Sequence, residues 1–169
     1  MEGFQYSAFR MESRPGYAIS YERDIYEQFL AGTPTPTPPE IDWWRPWLDW
    51  VRGLAAQGRT LQRVRVVDDP LTDYQQFSVW GGRWNTEAGE RISYLRRTEA
   101  HRLDVPTSAD WWLFDDTSLV RLNFSRDGEL VGQDLEADPS VVERYRRWRD
   151  TAVASGVAAD TVVSSGSGG

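Results

Sequence analysis

Apolar and polar positions alternate most clearly in Arg63 to Val67, RVRVV, where Val64, Val66 and Val67 are interleaved with Arg63 and Arg65. Period-two alternation of β-branched residues predicts a strand with one buried and one wet face. Pro70 cannot donate to a ladder and disfavours α at Asp69, so this strand ends by Asp68. Tyr74 to Trp80 sets Phe77 and Val79 against Tyr74, Gln76, Ser78 and Trp80 and reads as a second strand, stopped by Gly81 and Gly82. Trp111 to Phe114 reads as an aromatic strand, Asp115 to Ser118 as its turn, and Leu119 to Phe124 as the next strand. Asp127-Gly128 is the strongest hairpin signal in the chain, with a return strand from about Glu129 to Leu135. Phe9 and Met11 fit a short strand or a packing arm, and Arg91 to Arg97 fits strand or helix.

Helical spacing appears elsewhere. Tyr21, Ile25 and Phe29 recur four apart, with Ser20 as a cap and Gly32 at the stop, predicting a helix from Tyr21 to Ala31. Thr33 to Pro39, TPTPTPP, reads as a stiff spacer. A second helix follows, with Pro46 near its first turn or at a kink, Trp47, Trp50, Val51 and Leu54 on one side, and Gly58 at its end. Thr98 to Leu103 reads as a short helix, and Pro139 opens an arginine-rich helix to about Ala154. GGRWNTEAGE reads as a glycine-punctuated loop. Its Gly81, Gly82 and Gly89 make no phosphate cradle, for no GxGxxG or GKS/GKT accompanies them. The expectation is one α+β domain over 1–154, with the spacer 33–39 inside it and a flexible tail over 155–169. It has a mostly antiparallel sheet of four to six strands, with the tryptophan-rich and C-terminal helices packed on one side.

Composition narrows the chemistry. A chain of 169 residues with no cysteine can build a core without disulfides, and has neither a thiol nucleophile nor a cysteine zinc site. No basic leader or bilayer-length apolar run is present, so a cytoplasmic protein without membrane attachment is expected. A net charge of −7 argues against a broad nucleic-acid surface. All 19 basic residues are arginine, the better residue for bidentate contacts to carboxylate or phosphate. Of nine tryptophans, four lie between Trp43 and Trp50.

The sequence offers two main candidate sites. Arg63 and Arg65, two apart on one strand face with Tyr74 nearby, could clamp a phosphate or a partner's carboxylate, or pair with internal acids such as Asp73 or Glu90. Trp43, Trp47 and Trp50 could pack as core or stay exposed for a partner. An alternative sets Glu90, Asp115 and Asp116 around Mg²⁺ or Mn²⁺ in a small hydrolase acting on a phosphate ester or nucleic acid, with Arg63 and Arg65 on the phosphate. Against it, aspartates in turns bond their own backbone, and Glu90 can pair with an arginine. His101 has no second histidine or cysteine beside it and reads as a surface residue. Arg144, Arg146, Arg147 and Arg149 read as a solvated helix face. Nearby acids and the absence of a recognition helix disfavour direct sequence-specific DNA binding.

Five motifs stand in order along the chain: RVRVV, DPLTDY, EAGERISYLRR, LFDD and, in the last helix, RRWRD, which holds Trp148 and Arg149. From about Phe9 to Ala154 the chain resembles an uncharacterised family of small actinobacterial proteins, a domain of unknown function often encoded beside helix-turn-helix regulators. Recurrent positions of the family match Arg10, Glu22, Arg63, Arg65, Pro70, Tyr74, Glu90, Asp115, Asp116 and Gly128, among others. The chain departs from the family at Thr33 to Pro39 and at Trp111 and Trp112. The residues lead to the expectation of a non-enzymatic cytoplasmic regulatory or interaction domain with a protein partner, and the resemblance implies a helix-turn-helix regulator as the candidate partner. No cofactor is expected on this reading, and Mg²⁺ or Mn²⁺ only on the hydrolase alternative.

Overall fold

The structure is a computed structural model and describes residues 3–164. Its elements run in the order β1 (Ser7–Glu12), α1 (Arg23–Leu30), α2 (Arg45–Ala56), β2 (Thr60–Val67), α3 (Asp73–Ala88), β3 (Arg91–Arg96) and α4 (Arg97–Arg102). There follow β4 (Asp110–Phe114), β5 (Ser118–Phe124), β6 (Leu130–Glu136), α5 (Pro139–Ser155) and α6 (Ala159–Ser164). The strands form one six-stranded sheet in the order β3-β2-β1-β4-β5-β6. β1, β2 and β3 are mutually parallel, whereas β4, β5 and β6 join antiparallel. The sheet is therefore mixed. Its parallel half follows from the helices between those strands, because a parallel return needs a crossover.

Phe9 and Met11 belong to an inner strand. β1 lies between β2 and β4, with Arg10 opposite both Arg63 and Trp112. Alternation along it sends Phe9 and Met11 to one face, where they join Val64, Val66, Trp111, Leu113 and Val142 of α5. Ala8 goes to the other face, with Leu61, Trp112 and the α2 residues Leu48, Val51 and Leu54. The two helices expected on one side thus lie on opposite faces, since a sheet with apolar residues on both needs two covers.

The largest local correction is α3. Residues 74–80 are helical, and the predicted loop 81–90 continues the same helix through Ala88. Thr72 and Gln75 form a capping box, with Gln75 N–H donating to Thr72 Oγ1 at 3.2 Å and Thr72 N–H to Gln75 Oε1 at 3.0 Å. Gly81 and Gly82 are close-packing positions within the helix. A Cβ on Gly81 would stand 2.2 Å from the Trp44 ring, and one on Gly82 would stand 2.9 Å from Tyr94 Oη and 3.2 Å from Arg65 Nη1.

Among the remaining expectations, the place of Pro46 holds, an open one is resolved at Arg91 to Arg96, and the flexible tail is corrected over residues 155–164. Pro46 sits in the first turn of α2. Arg91 to Arg96 resolves as strand. Within the proline spacer, Pro38–Glu40 forms a 3-10 turn that Glu40 closes by accepting from Thr37 N–H at 2.7 Å. Residues 155–164, placed in the tail by sequence, pack on β3. Tyr94 and Val157 exchange backbone hydrogen bonds of 2.9 and 2.8 Å, and Val162 of α6 is buried against Val67 and Tyr94. Residues 165–169 of that expected tail lie outside the described residues. No described helix is long and apolar enough to cross a membrane.

Candidate functional site

The face of the sheet under α2 and α3 carries charge where a core would be expected. β1 contributes Arg10 and Glu12, β2 contributes Arg63 and Arg65, and β4 contributes Asp110. Register sets Arg10 beside Arg63 and Glu12 beside Arg65. This is the consequence of period two: the valines that bury one face oblige the arginines to face the other.

These groups pair closely. Arg63 Nε donates to Glu90 Oε1 at 2.6 Å, and its Nη1 donates to Glu12. Arg65 Nε donates to Glu12 Oε2 at 2.7 Å, and its Nη1 to the Ser78 carbonyl at 2.5 Å. Arg10 Nη2 donates to Asp110 Oδ2 at 3.0 Å, while Asp110 Oδ1 accepts from Ser13 N–H at 2.8 Å. Tyr17 Oη also donates to Asp110, and Asn85 Nδ2 donates to Glu90 Oε2 at 2.9 Å. Arg10, Arg63, Glu90 and Asp110 are 6, 8, 1 and 1% exposed, so the network is internal and its pairing is obligatory.

Burial and charge tune the acids in opposite directions. Burial pushes the Glu12 carboxyl up, but the guanidiniums of Arg63, Arg65 and Arg10 outweigh it and hold Glu12 well below the usual carboxylate range. Among the described residues, no arginine is in salt-bridge contact with Glu22. Burial raises its pKa, with Glu12 adding to the rise and the 2.8 Å hydrogen bond from Tyr74 Oη opposing it. Burial likewise raises Asp110, against the pull of Arg10 and Tyr17.

Above this floor lies a cleft of about 540 Å³. Arg10, Glu12, Arg63 and Arg65 form its base, and Tyr17, Tyr21, Glu22, Tyr74, Trp43, Trp44, Trp47 and Trp112 its walls. The Trp43 and Trp44 rings stack at 5.0 Å and 17°, and Tyr21 leans on Trp43 at 5.0 Å. Arg63 lies over the Trp47 ring at 5.7 Å and Arg10 over Trp112 at 5.4 Å. A volume of this size within aromatic walls and a few convergent polar groups suits a small molecule or a partner's side chain.

Of the residues singled out from sequence, Arg63, Arg65, Tyr74, Trp43 and Trp47 meet in this cleft. Trp50 does not line it; half-buried, it packs on Trp47 and Phe4. Asp73 heads α3, and Arg63 takes Glu90 and Glu12 as its acids.

The proposed metal set does not assemble. Glu90 is held by Arg63 and Asn85. Asp115 accepts from the backbone N–H groups of Gln5, Tyr6 and Ser7 at 2.6, 2.7 and 2.9 Å, which pull its pKa down against burial. Asp116 pairs with Arg149 and Arg146 of α5. Asp115 and Asp116 both have positive φ, 49° and 57°, and Thr117 N–H bonds to the Phe114 carbonyl, so they are the central pair of a tight turn. Their role there is conformational. Among the described residues, no three His, Cys, Asp or Glu side chains gather as a cation site. His101 is exposed, 3.1 Å from Thr107 Oγ1.

Sequence reasoning missed Arg10, Glu12, Tyr17, Glu22 and Asp110 as members of one network. The available signal was Phe9-Arg10-Met11-Glu12, the same period-two alternation as RVRVV.

Fold and cleft together define an α+β domain with a mixed sheet and a tryptophan-walled cleft over a buried arginine–carboxylate floor. The chain belongs to the family described as Domain of unknown function (DUF6879), whose model matches residues 1–163. Comparison with curated proteins gives no match. Among solved structures, the chain is similar to a phospholipase D family member, Nuc, from Salmonella typhimurium. The likeness has 11% identity and a TM-score of 0.49 over 92% of this chain and 83% of that one, and carries no argument about function.

Proposed function

We propose that this chain is a non-enzymatic recognition domain that acts in regulation by binding a protein partner through α2. The observation that carries the reading is the mixed surface of that helix and of the turn that leads into it. Half-buried Trp43, Trp47 and Trp50 stand among the exposed ion pairs Arg45–Asp42 at 3.0 Å and Arg52–Asp49 at 2.7 Å. Aromatic anchors framed by charges of both signs suit a protein surface better than a phosphate backbone. The buried arginines are engaged by acids, and the described carboxylates do not converge as a metal site, which weighs against the hydrolase alternative. The family resemblance points to a helix-turn-helix regulator as the partner.

The test is isothermal titration of the chain with such a regulator from its own locus, using wild type and the double variant Arg45→Glu/Arg52→Glu. The reading expects saturable binding that the double variant weakens at least tenfold with the thermal midpoint preserved. Equal binding by both proteins, or none by wild type, overturns it.

A further inference from the structure

The floor of the cleft offers donors that its own acids do not use. Arg10 Nη1 has no hydrogen-bond partner among the described residues but is fully buried, so it stays beneath the floor. Arg63 and Arg65 each spend Nε and Nη1 in the hydrogen bonds described above, which leaves the Nη2 of both without one among the described residues. The two stand side by side, with Arg65 two residues beyond Arg63 along the same face. Spare planar donors at such spacing match the oxygens of a carboxylate or phosphate. The stacked pair Trp43 and Trp44, with Tyr21 against it, supplies a flat apolar wall on the same cleft.

From this arrangement we infer that the cleft binds a small molecule in which an aromatic ring carries an oxyanion, the ring against Trp43 and the oxyanion over Arg63 and Arg65. The inference rests on the recognition reading and names a ligand for that domain. The floor arginines are matched by Glu12, Glu90 and Asp110, so attraction comes from directed donors rather than from excess positive charge. A ring alone therefore binds much less well than a ring with its oxyanion. An oxyanion without a ring loses the wall.

The test is isothermal titration calorimetry of the whole chain with indole-3-carboxylate and adenosine 5′-monophosphate, against indole and adenosine as oxyanion-free controls. Saturable binding of at least one charged probe, at least tenfold tighter than its control, is expected. A preference between the two probes separates carboxylate from phosphate as the ligand's oxyanion. Trp43→Ala, which leaves the floor network intact, is expected to weaken the bound probe at least fivefold. Arg65→Lys, checked for folding by circular dichroism, is expected to remove the discrimination against the control. Equal binding of probe and control, or no binding by folded wild type at millimolar concentration, overturns the inference. If the regulator still binds α2 in that case, the recognition reading stands without it.

Discussion

Arg63 and Glu90 form a buried pair, Nε to Oε1 at 2.6 Å, joining the middle of β2 to the turn after α3. Glu90 follows Gly89, whose φ of 116° ends the helix and turns the chain into β3. The pair thus fixes α3 over the sheet and so fixes one wall of the cleft. Glu90→Ala leaves a buried guanidinium short of an acid, and a loss of about 3–5 kcal/mol in urea unfolding is expected. Glu90→Gln keeps an acceptor and costs less.

Glu12 predicts an acid limb to stability. Its folded pKa lies below the ordinary value of 4.5, so the stability it contributes is fully present above that value and is lost as the pH falls below it. The stability difference between wild type and Glu12→Gln is therefore largest at neutral pH, about 3–5 kcal/mol, and shrinks below pH 4.5. Taking the difference removes most of the opposing contributions of Glu22 and Asp110, whose pKa values are raised. Denaturant titrations of both proteins from pH 7 to pH 3 measure it.

Gly81 predicts a steric effect. Alanine is the better helix former by about 1 kcal/mol, but its Cβ would meet the Trp44 ring at 2.2 Å. Gly81→Ala is expected to lose about 1–3 kcal/mol net and to move the Trp44 indole. A shift in tryptophan emission with the loss of stability is the signature; a stabilised variant with unchanged emission would contradict the packing.

Glu22 predicts how the cleft responds to pH. Tyr74 of α3, Glu12 of β1, and Arg65 and Arg63 of β2 surround it electrostatically, and burial keeps its pKa raised. An ionised Glu22 opposes an oxyanion in the cleft, so affinity for the charged probes rises as the pH falls through that raised pKa. Glu22→Gln flattens the dependence. Titration of both proteins across that range provides the check.

Much of the sheet is legible because its signals are local. RVRVV, the Asp127-Gly128 hairpin and the aromatic run into Asp115 are complete within a few residues. Helix α3 is hidden because Tyr74 to Trp80 satisfies period two by accident, while its helical stripe of Tyr74, Phe77, Gly81, Trp84 and Ala88 is interrupted by a glycine that exists to admit Trp44. The Thr72–Gln75 capping box is the signal that favours helix. The cleft is half legible. Arg63 and Arg65 announce a polar face, but their partners Glu12 and Glu90 lie 51 and 27 residues from Arg63, and only the parallel pairing of β1 with β2 brings Glu12 to it.

Recognition through α2 is tested most directly by hydrogen–deuterium exchange of the chain with and without a helix-turn-helix regulator from its locus. Added protection on Trp43 to Ala56, with exchange in α5 and β6 unchanged, is the predicted result. Protection confined to α5 or β6, or none at saturating regulator, would contradict it.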